Sequence, residues 1–386
     1  MLTITDKKQC CGCTACSTIC PKQAITLKPD AEGFLYPSVD VERCINCELC
    51  IRVCAFNNHY DRTKSYEVPL VFGAFNKDKN QVAHSQSGGI FHTLAQYIIS
   101  RGGVVYGASF QGVNKVCHKR ASTIGELELL RGSKYVQSDL KDTYSNIVAD
   151  LKEGKTVLFS GTGCQAAGLH SLILTKKLDG SKLYICDIVC HGVPSPLVWS
   201  ENIKWIEKKN NNKVKKANFR DKNLFGWHSS TSSYLLENGK TVVSNKFNLA
   251  FGLGYINRHS CDVCYFANTK RPSDITVGDF WGLKMVNAKL DAEDKGVSLV
   301  IINTDKGKIL FESVKEDLVF FESNLNEVRQ PNLETPSVPS PNRDEFMHLF
   351  LTKGYKKALN SFPELRDRSV FYKVIAKVIS ILKNFH

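Results

Sequence analysis

Apolar positions along the chain fall into two kinds of pattern, with a short cysteine-rich segment ahead of both. Beyond about residue 70, compact apolar runs recur at Val71–Phe75, Val104–Phe110, Thr156–Ser160 and Leu183–Val189. Their length and β-branched content predict strands. Between them, Gly88–Ser100 and Asp139–Glu153 carry apolar residues at helical spacing, and Thr123 and Glu126 have the spacing of a capping box ahead of a short helix. Strands alternating with helices predict an α/β domain with a mainly parallel sheet. Lys209–Lys213, with three asparagines, predicts a solvated turn, and residues 214–245 predict a β-rich insertion. The four prolines of Pro331–Pro341 predict an extended connector. Ser369–Phe385 predicts an amphipathic helix, with Phe371, Val374, Ile375, Val378, Leu382 and Phe385 on one face and Lys373 and Lys377 away from its centre. The expected units are a dicluster ferredoxin-like α+β domain over 1–57, a linker over 58–68, the α/β domain over 69–345, and a C-terminal helical tail over 346–386.

The cysteines define the first unit. All 15 lie between Cys10 and Cys264, and nine precede residue 55. Met1 to Gln9 is polar and lacks the apolar core of a signal peptide, and no run approaches the roughly 18 apolar residues of a transmembrane helix. A cytoplasmic, reducing location is therefore expected, where spaced cysteines serve as metal ligands more often than as disulfides. Cys10, Cys13, Cys16 and Cys20, followed by Pro21, follow the spacing C-x2-C-x2-C-x3-C-P. Cys44, Cys47, Cys50 and Cys54 repeat it, with Ala55 in the proline position. An unbroken triple with a fourth cysteine after three residues is the pattern of two-cluster ferredoxins, in which the fourth cysteine ligates the other cluster. Zinc sites separate two CxxC pairs by a longer gap. The expected sets are Cys10, Cys13, Cys16 and Cys54 for one 4Fe–4S cluster, and Cys44, Cys47, Cys50 and Cys20 for the other. Cys11 is spare and reads as structural.

The formal charge is +13. A cluster with its four thiolates carries about −2, so two would leave about +9 and three about +7. The basic remainder suits an acidic electron-transfer partner, a phosphate-bearing cofactor or an anionic membrane face. The lysines are dispersed and no nucleic-acid motif is present, which argues against nucleic acid. The C-terminal helix suits either contact with a membrane surface or docking on its own protein.

Six cysteines follow in the larger domain. Cys117 and Cys186 lie inside apolar runs and read as core. Cys164 and Cys190 each follow a strand, where α/β sheets place their sites, and Cys261 and Cys264 form a CxxC. On spacing alone these four either converge on a third cluster or are core residues. Ser85-Gln-Ser-Gly-Gly89 is either an anion-binding helix start or an ordinary one. Arg131-Gly-Ser-Lys-Tyr135 is either a phosphate contact or a turn. Ser273–Gly282, Arg220-Asp-Lys222 and Gly226-Trp-His228 share that ambiguity between cofactor contact and core.

Taken together, SQSGG (85–89), GSKY (132–135), GTGCQ (161–165), CHGVPS (190–195), FRDK (219–222), CDVC (261–264) and SDITVGDFWG (273–282) resemble the family of coenzyme F420 hydrogenase/dehydrogenase beta subunits, from the ferredoxin unit to about residue 345. The resemblance implies a flavin and iron–sulfur oxidoreductase. In it, FAD passes electrons between a two-electron carrier (coenzyme F420-like, NAD(P)H or similar) and 4Fe–4S clusters. It assigns FAD binding to Ser87, Gly88, Gly89, Ser133 and Lys134, and a third 4Fe–4S cluster to Cys164, Cys190, Cys261 and Cys264. Gly163 departs from the family's usual proline before that cysteine. No protein acid, base or nucleophile is needed for hydride transfer. His191 and Asp279 are candidate proton handlers, with a structural role the stronger reading of each. Two other functions are consistent with the resemblance: an electron-relay subunit of a larger complex, and a non-catalytic accessory protein in polysaccharide biosynthesis.

Overall fold

The computed structural model describes residues 2–56, 65–328 and 330–365. Most of the expected 58–68 linker and the helix expected over Ser369–Phe385 lie outside the described residues.

The N-terminal unit is small and α+β. Two short helices, Ala15–Ile19 and Leu49–Arg52, flank an antiparallel hairpin of β1 (Ile25–Pro29) and β2 (Leu35–Val39). Each helix starts from a left-handed residue, Thr14 and Glu48. Ala15, Ile19 and Val53 are buried in one cluster with Tyr144, Leu169 and Leu172 of the larger domain. Burial of this kind contributes on the order of 1.5–3 kcal/mol per large side chain, so the two units share a core.

The larger domain is built on β3 (Leu70–Asn76), β4 (Val104–Gln111), β5 (Lys115–Ala121), β6 (Val157–Thr162) and β7 (Leu183–Ile188), followed by β8 (Val214–Asn218), β9 (Ser233–Leu236) and β10 (Thr241–Val243), and then β11 (Ile275–Asp279), β12 (Ser298–Ile302) and β13 (Leu318–Ser323). Eight of these form one sheet, in the order β13-β3-β12-β11-β7-β6-β4-β5. Its centre, β11-β7-β6-β4, is parallel, and the strands outside it pair antiparallel. The crossovers that join the parallel strands cover the sheet with helices, including Ile90–Ser100 and Gly163–Thr175. β8, β9 and β10 make a separate antiparallel sheet, the insertion expected from residues 214–245.

The capping box of Thr123 and Glu126 forms. The helix expected from Asp139 begins only at Thr143, because Asp139 bridges to Cys117 beside the sheet. The turn expected over Lys209–Lys213 is partly helical: the helix Pro196–Asn210 runs through Asn210 and ends at left-handed Asn211. Pro331–Leu333 is a single 3-10 turn within the expected extended connector. The expected boundary at residue 345 falls within the helix Arg343–Lys353. Phe346, Met347, Phe350, Tyr355 and Leu359 pack in one core with Trp199, Phe219 and Tyr234, so residues 343–365 are part of the main domain rather than a tail.

β3, β11, β7, β6 and β4 run in one direction, so their C-terminal ends share one rim of the sheet. The Ser85–Gly89 loop follows β3, Asp279 ends β11, Cys190 follows β7 and Cys164 follows β6. This is the edge where open α/β sheets bind ligands.

Candidate functional site

The first set of cysteines is drawn together by the fold of the N-terminal unit. Cys16 lies within electrostatic range of Cys10, Cys13 and Cys54. Cys20, Cys44, Cys47 and Cys50 line a cavity with Pro21, Leu49 and Ile45. Thus Cys20 stands with the second run and Cys54 with the first. The two loops reach this arrangement with the same backbone: Gly12 and Thr14 in the first, Asn46 and Glu48 in the second, are all left-handed. Alternating left-handed residues turn successive amides inward, a geometry that favours an anionic group.

A second cavity opens at the sheet rim. Cys164, Cys190, Cys261 and Cys264 line it together with Cys11, Arg258, Phe266, Arg271 and Asn332. Cys164 begins the helix Gly163–Thr175, whose start is fixed by a capping box between Thr162 and Gln165. At the departure from the family pattern, a Cβ on Gly163 would stand 3.0 Å from Phe266 Cβ and 3.2 Å from Asp187 Oδ2. Cys261 lies in the 3-10 segment His259–Val263, and Cys264 caps its C-terminal end. Burial pushes the Cys190 thiol up to about 12 and Cys264 to about 11. Cys164 is drawn down to about 7, first by a hydrogen bond with Cys11 and then, against burial, by Thr162. Four thiols around one cavity fit an iron–sulfur cluster by donor chemistry, since iron takes the place of the thiol protons. Among the described residues, no group of three His, Cys, Asp or Glu is closed tightly enough for a single metal ion; the sulfurs ring cavities instead. Cys117 and Cys186 are core, 3% and 0% exposed.

Cys11 is the residue whose importance the spacing concealed. Its thiol lies close enough to both Cys13 and Cys164 for each to act on its ionisation. It packs with Phe56, Ala167 and Phe266, against which Cys13, Cys54, Cys164 and Cys264 also rest. Members of both cysteine sets therefore meet in one apolar cluster.

The expected flavin residues occupy two neighbouring loops on the same rim. Gly89 is left-handed and starts the 11-residue helix Ile90–Ser100 without a side-chain cap. Gly88 gives its N–H to Ser298 Oγ at 2.9 Å, and a Cβ there would stand 2.3 Å from the Ala74 carbonyl, so this glycine packs against the sheet. Ser87 Oγ, Gln86 Nε2 and Arg131 Nε are buried without a partner. Buried polar atoms are rarely left so, and these three fit an incoming polar ligand. Arg131 reaches across to Gln81 and ties the second loop to the first. Lys134 gives its ammonium to the Arg131 carbonyl at 2.6 Å, and burial lowers it to about 7. Ser133 lies beside Tyr135.

The ambiguous motifs surround these loops. Lys222 Nζ donates to the carbonyls of Val82, Ser87 and Lys295 and so clamps the first loop. Arg220 pairs with Asp279 at 2.5 Å, and Trp227 Nε1 donates to the same carboxylate at 2.7 Å. Trp227 stacks on Trp281 with ring centres 5.1 Å apart. Asp279 is thus occupied by two structural partners. His191 is bonded to Asn332 at 2.9 Å and meets Phe251 edge-on, and Phe251 in turn touches Tyr135. This run of rings links the flavin-loop side to Cys190.

The cysteine loops and cavities define an iron–sulfur electron-transfer protein, and comparison with known proteins places it. Residues 9–58 match the 4Fe–4S dicluster domain, which holds two clusters. Residues 154–327 match the C terminus of the coenzyme F420 hydrogenase/dehydrogenase beta subunit. The larger domain thus carries the C-terminal region of this oxidoreductase family, behind a dicluster ferredoxin domain. Its N-terminal part is similar to an uncharacterized ferredoxin of Methanocaldococcus jannaschii, 39% identical over 54 residues, which are 14% of this chain and 69% of that one. A longer stretch is similar to a subunit of the F(420)H(2) dehydrogenase of Methanosarcina mazei, 24% identical over 192 residues. That match covers 46% of this chain and 51% of the relative, so the chain spans about half of that relative's length. A chain in the F420-reducing [NiFe] hydrogenase complex from Methanosarcina barkeri aligns with a TM-score of 0.48 and 19% identity, over 79% of this chain and 94% of that one. No helix among the described residues is long and apolar enough to cross a membrane.

Proposed function

We propose that the protein is an iron–sulfur flavoprotein that passes electrons between a two-electron carrier, F420-like or nicotinamide, and three 4Fe–4S clusters. The observation that carries this reading is the meeting of two cysteine sets, through Cys11, on the rim that also bears the unpartnered atoms of Gln86, Ser87 and Arg131. Cys10, Cys13, Cys16 and Cys54 hold one cluster, Cys20, Cys44, Cys47 and Cys50 the second, and Cys164, Cys190, Cys261 and Cys264 the third. Ser87, Gly88, Gly89, Ser133 and Lys134 form the FAD site. When bound there, FAD supplies the conversion between two-electron and one-electron transfer.

The side chains bind, orient and exclude water. Ser87 and Arg131 offer donors to a phosphate or ribityl oxygen, and Lys134 offers a cation. An anion beside Lys134 raises its pKa again, so flavin binding near pH 7 takes up a proton. Lys222 fixes the loop that carries Ser87. Phe56 and Phe266 keep water from the junction between the cysteine sets, which matters because one-electron transfer is favoured where little solvent must reorganise. The partners in this reading are a soluble two-electron carrier at the rim and an acidic electron-transfer protein at the exposed second loop.

Iron and flavin content of anaerobically purified protein tests the reading. About 12 irons and one FAD per chain are expected, four irons to each cluster. About eight irons without flavin would leave a ferredoxin unit on a catalytically silent domain, and the electron-relay role would replace the enzymatic one.

A further inference from the structure

Four arginines are buried among the described residues: Arg220, Arg258, Arg271 and Arg343. Three have a carboxylate partner, Asp279 for Arg220, Asp187 for Arg271 and Glu32 for Arg343. Arg258 is the most buried, 0% exposed, and makes no ion pair with any described carboxylate. Its donors go to neutral oxygens: Nε to the Cys10 carbonyl at 2.8 Å, Nη1 to Gln137 Oε1 at 2.8 Å and Nη2 to the Leu35 carbonyl at 3.0 Å. The guanidinium lies 4.1 Å from the centre of the Tyr36 ring and 5.5 Å from that of Phe34. A buried guanidinium without a counter-charge is costly, so the charge that balances it must come from something the protein binds.

The surroundings say what that is. Arg258 holds the Cys10 carbonyl on one side and lines the cavity of Cys164, Cys190, Cys261 and Cys264 on the other. Its own backbone is tied into the third set, with its N–H on the Val193 carbonyl and its carbonyl accepting from Cys261 N–H. Its positive charge acts on both Cys10 and Cys164. Gln137, which orients Nη1, also donates to the Cys11 carbonyl at 3.1 Å. The residue is absent from the lining of the cavity around Cys20, Cys44, Cys47 and Cys50.

We propose that Arg258 is a positioning residue at the junction of two clusters, the shared counter-charge of the one held by Cys10, Cys13, Cys16 and Cys54 and the one held by Cys164, Cys190, Cys261 and Cys264. This rests on the three-cluster reading above. Each cluster with its thiolates carries about −2, and reduction adds one electron and no proton, taking it to about −3. A fixed cation beside both therefore favours both reduced states and holds the two midpoint potentials up together. An electron then crosses the junction in either direction without a steep step. The outer cluster lies away from this charge and serves as an internal reference.

The test is a dithionite titration of the full chain, purified without oxygen and followed by electron paramagnetic resonance. In Arg258→Gln, the midpoints of the two inner clusters fall by about a tenfold change in the one-electron equilibrium, about 59 mV, while the outer one stays. Arg258→Lys keeps the charge and restores most of the shift. Should Arg258→Gln lose iron, Gln137→Glu puts a carboxylate against the guanidinium and lowers the same two midpoints with Arg258 in place. Unmoved midpoints in a variant with full iron overturn the proposal, as does an equal shift of all three. A wild-type protein with only two reducible clusters fails the three-cluster reading instead, which the iron count reports separately.

Discussion

The two cysteine loops of the N-terminal unit are one structure used in two settings. Each residue of the first has its counterpart 34 positions later: Cys10 and Cys44, Cys13 and Cys47, Cys16 and Cys50, Cys20 and Cys54. Gly12 and Asn46 match in backbone, with φ of 72° and 52°, as do Thr14 and Glu48, at 64° and 59°. The settings differ completely. Cys11 is 8% exposed and faces Cys164, whereas its counterpart Ile45 is 57% exposed. A Cβ on Gly12 would stand 2.7 Å from Gln137 Nε2 and 3.1 Å from Arg258 Nη1. Asn46 carries a full side chain in the same conformation because solvent lies beyond it. Ligand spacing dictates the loop, and its neighbours decide what the loop is for. The inner one meets the next set of cysteines, and the outer one meets whatever arrives from solution.

Breaking the attachment on the inner side should have the largest effect. Glu32, in the β1–β2 turn, pairs with buried Arg343 at 2.6 Å and lies 3.5 Å from His259. Ser195 Oγ donates to its carbonyl at 2.5 Å. Burial works against its ionisation, but the hydrogen bonds from His259 and Arg343 prevail and hold the carboxyl down at about 2. Glu32→Ala leaves the buried Arg343 guanidinium with only the exposed Asp344 carboxylate at 3.4 Å as an ionic partner, a loss on the order of 3 kcal/mol in denaturant unfolding. Since the folded-state pKa lies below the ordinary value of 4.5, the ionised pair contributes fully above about pH 4.5 and its share disappears as the pH falls through about 2. The gap between wild type and variant should therefore narrow over that window. Glu48→Ala, on the exposed loop, should change stability by less than about 0.5 kcal/mol. Comparable losses in both variants would mean that the inner side is not specially anchored.

Exchanging the paired left-handed residues tests the comparison itself. Glycine and asparagine both tolerate that backbone, so strain is nearly matched and the surroundings decide. Gly12→Asn has to displace Gln137 and Arg258 from their hydrogen bonds, a cost on the order of 2–3 kcal/mol. Asn46→Gly should cost only a few tenths. Thermal unfolding of the two variants, with iron bound, reads the difference. Two small and similar shifts would show that the first loop is not held against the larger domain.

The difference between the loops also marks how far the sequence could be read. Cysteine spacing is local chemistry, so the dicluster domain was legible, as were the parallel strands at the centre of the sheet, whose apolar runs need no knowledge of their partners. Of the antiparallel flanks β3 was also legible, as Val71–Phe75, but β12 and β13 were not, because they gain their places only by pairing with β11 and β3. Residues 346–365 looked like part of a tail because their apolar face is recognisable only once Trp199 and Tyr234 are seen opposite. Arg258 stands three residues before Cys261 and looks like any basic residue. Its burial depends on Cys10, Leu35 and Gln137, all more than 100 positions away. Cys11 was set aside as structural for the same reason, since nothing in its own segment announces Cys164.

Cys11 and Ile45 give the smallest expected effect and the sharpest separation. Cys11→Ala removes one buried sulfur from the apolar cluster where Cys13 and Cys164 also rest, which costs about 1 kcal/mol. Ile45→Ala removes a side chain that is mostly in water and should fall within about 0.5 kcal/mol of wild type. Stability alone would distinguish them weakly, so the iron count decides. If Cys11 is the spare thiol at the junction, Cys11→Ala keeps all of its iron, about 12 atoms, because each cluster retains four other cysteines. Its flavin-driven reduction of the two inner clusters changes, while electron delivery at the outer loop does not. Loss of about four irons would instead make Cys11 a ligand, and one of Cys13 or Cys164 would then be the spare residue on the other side of the same contact.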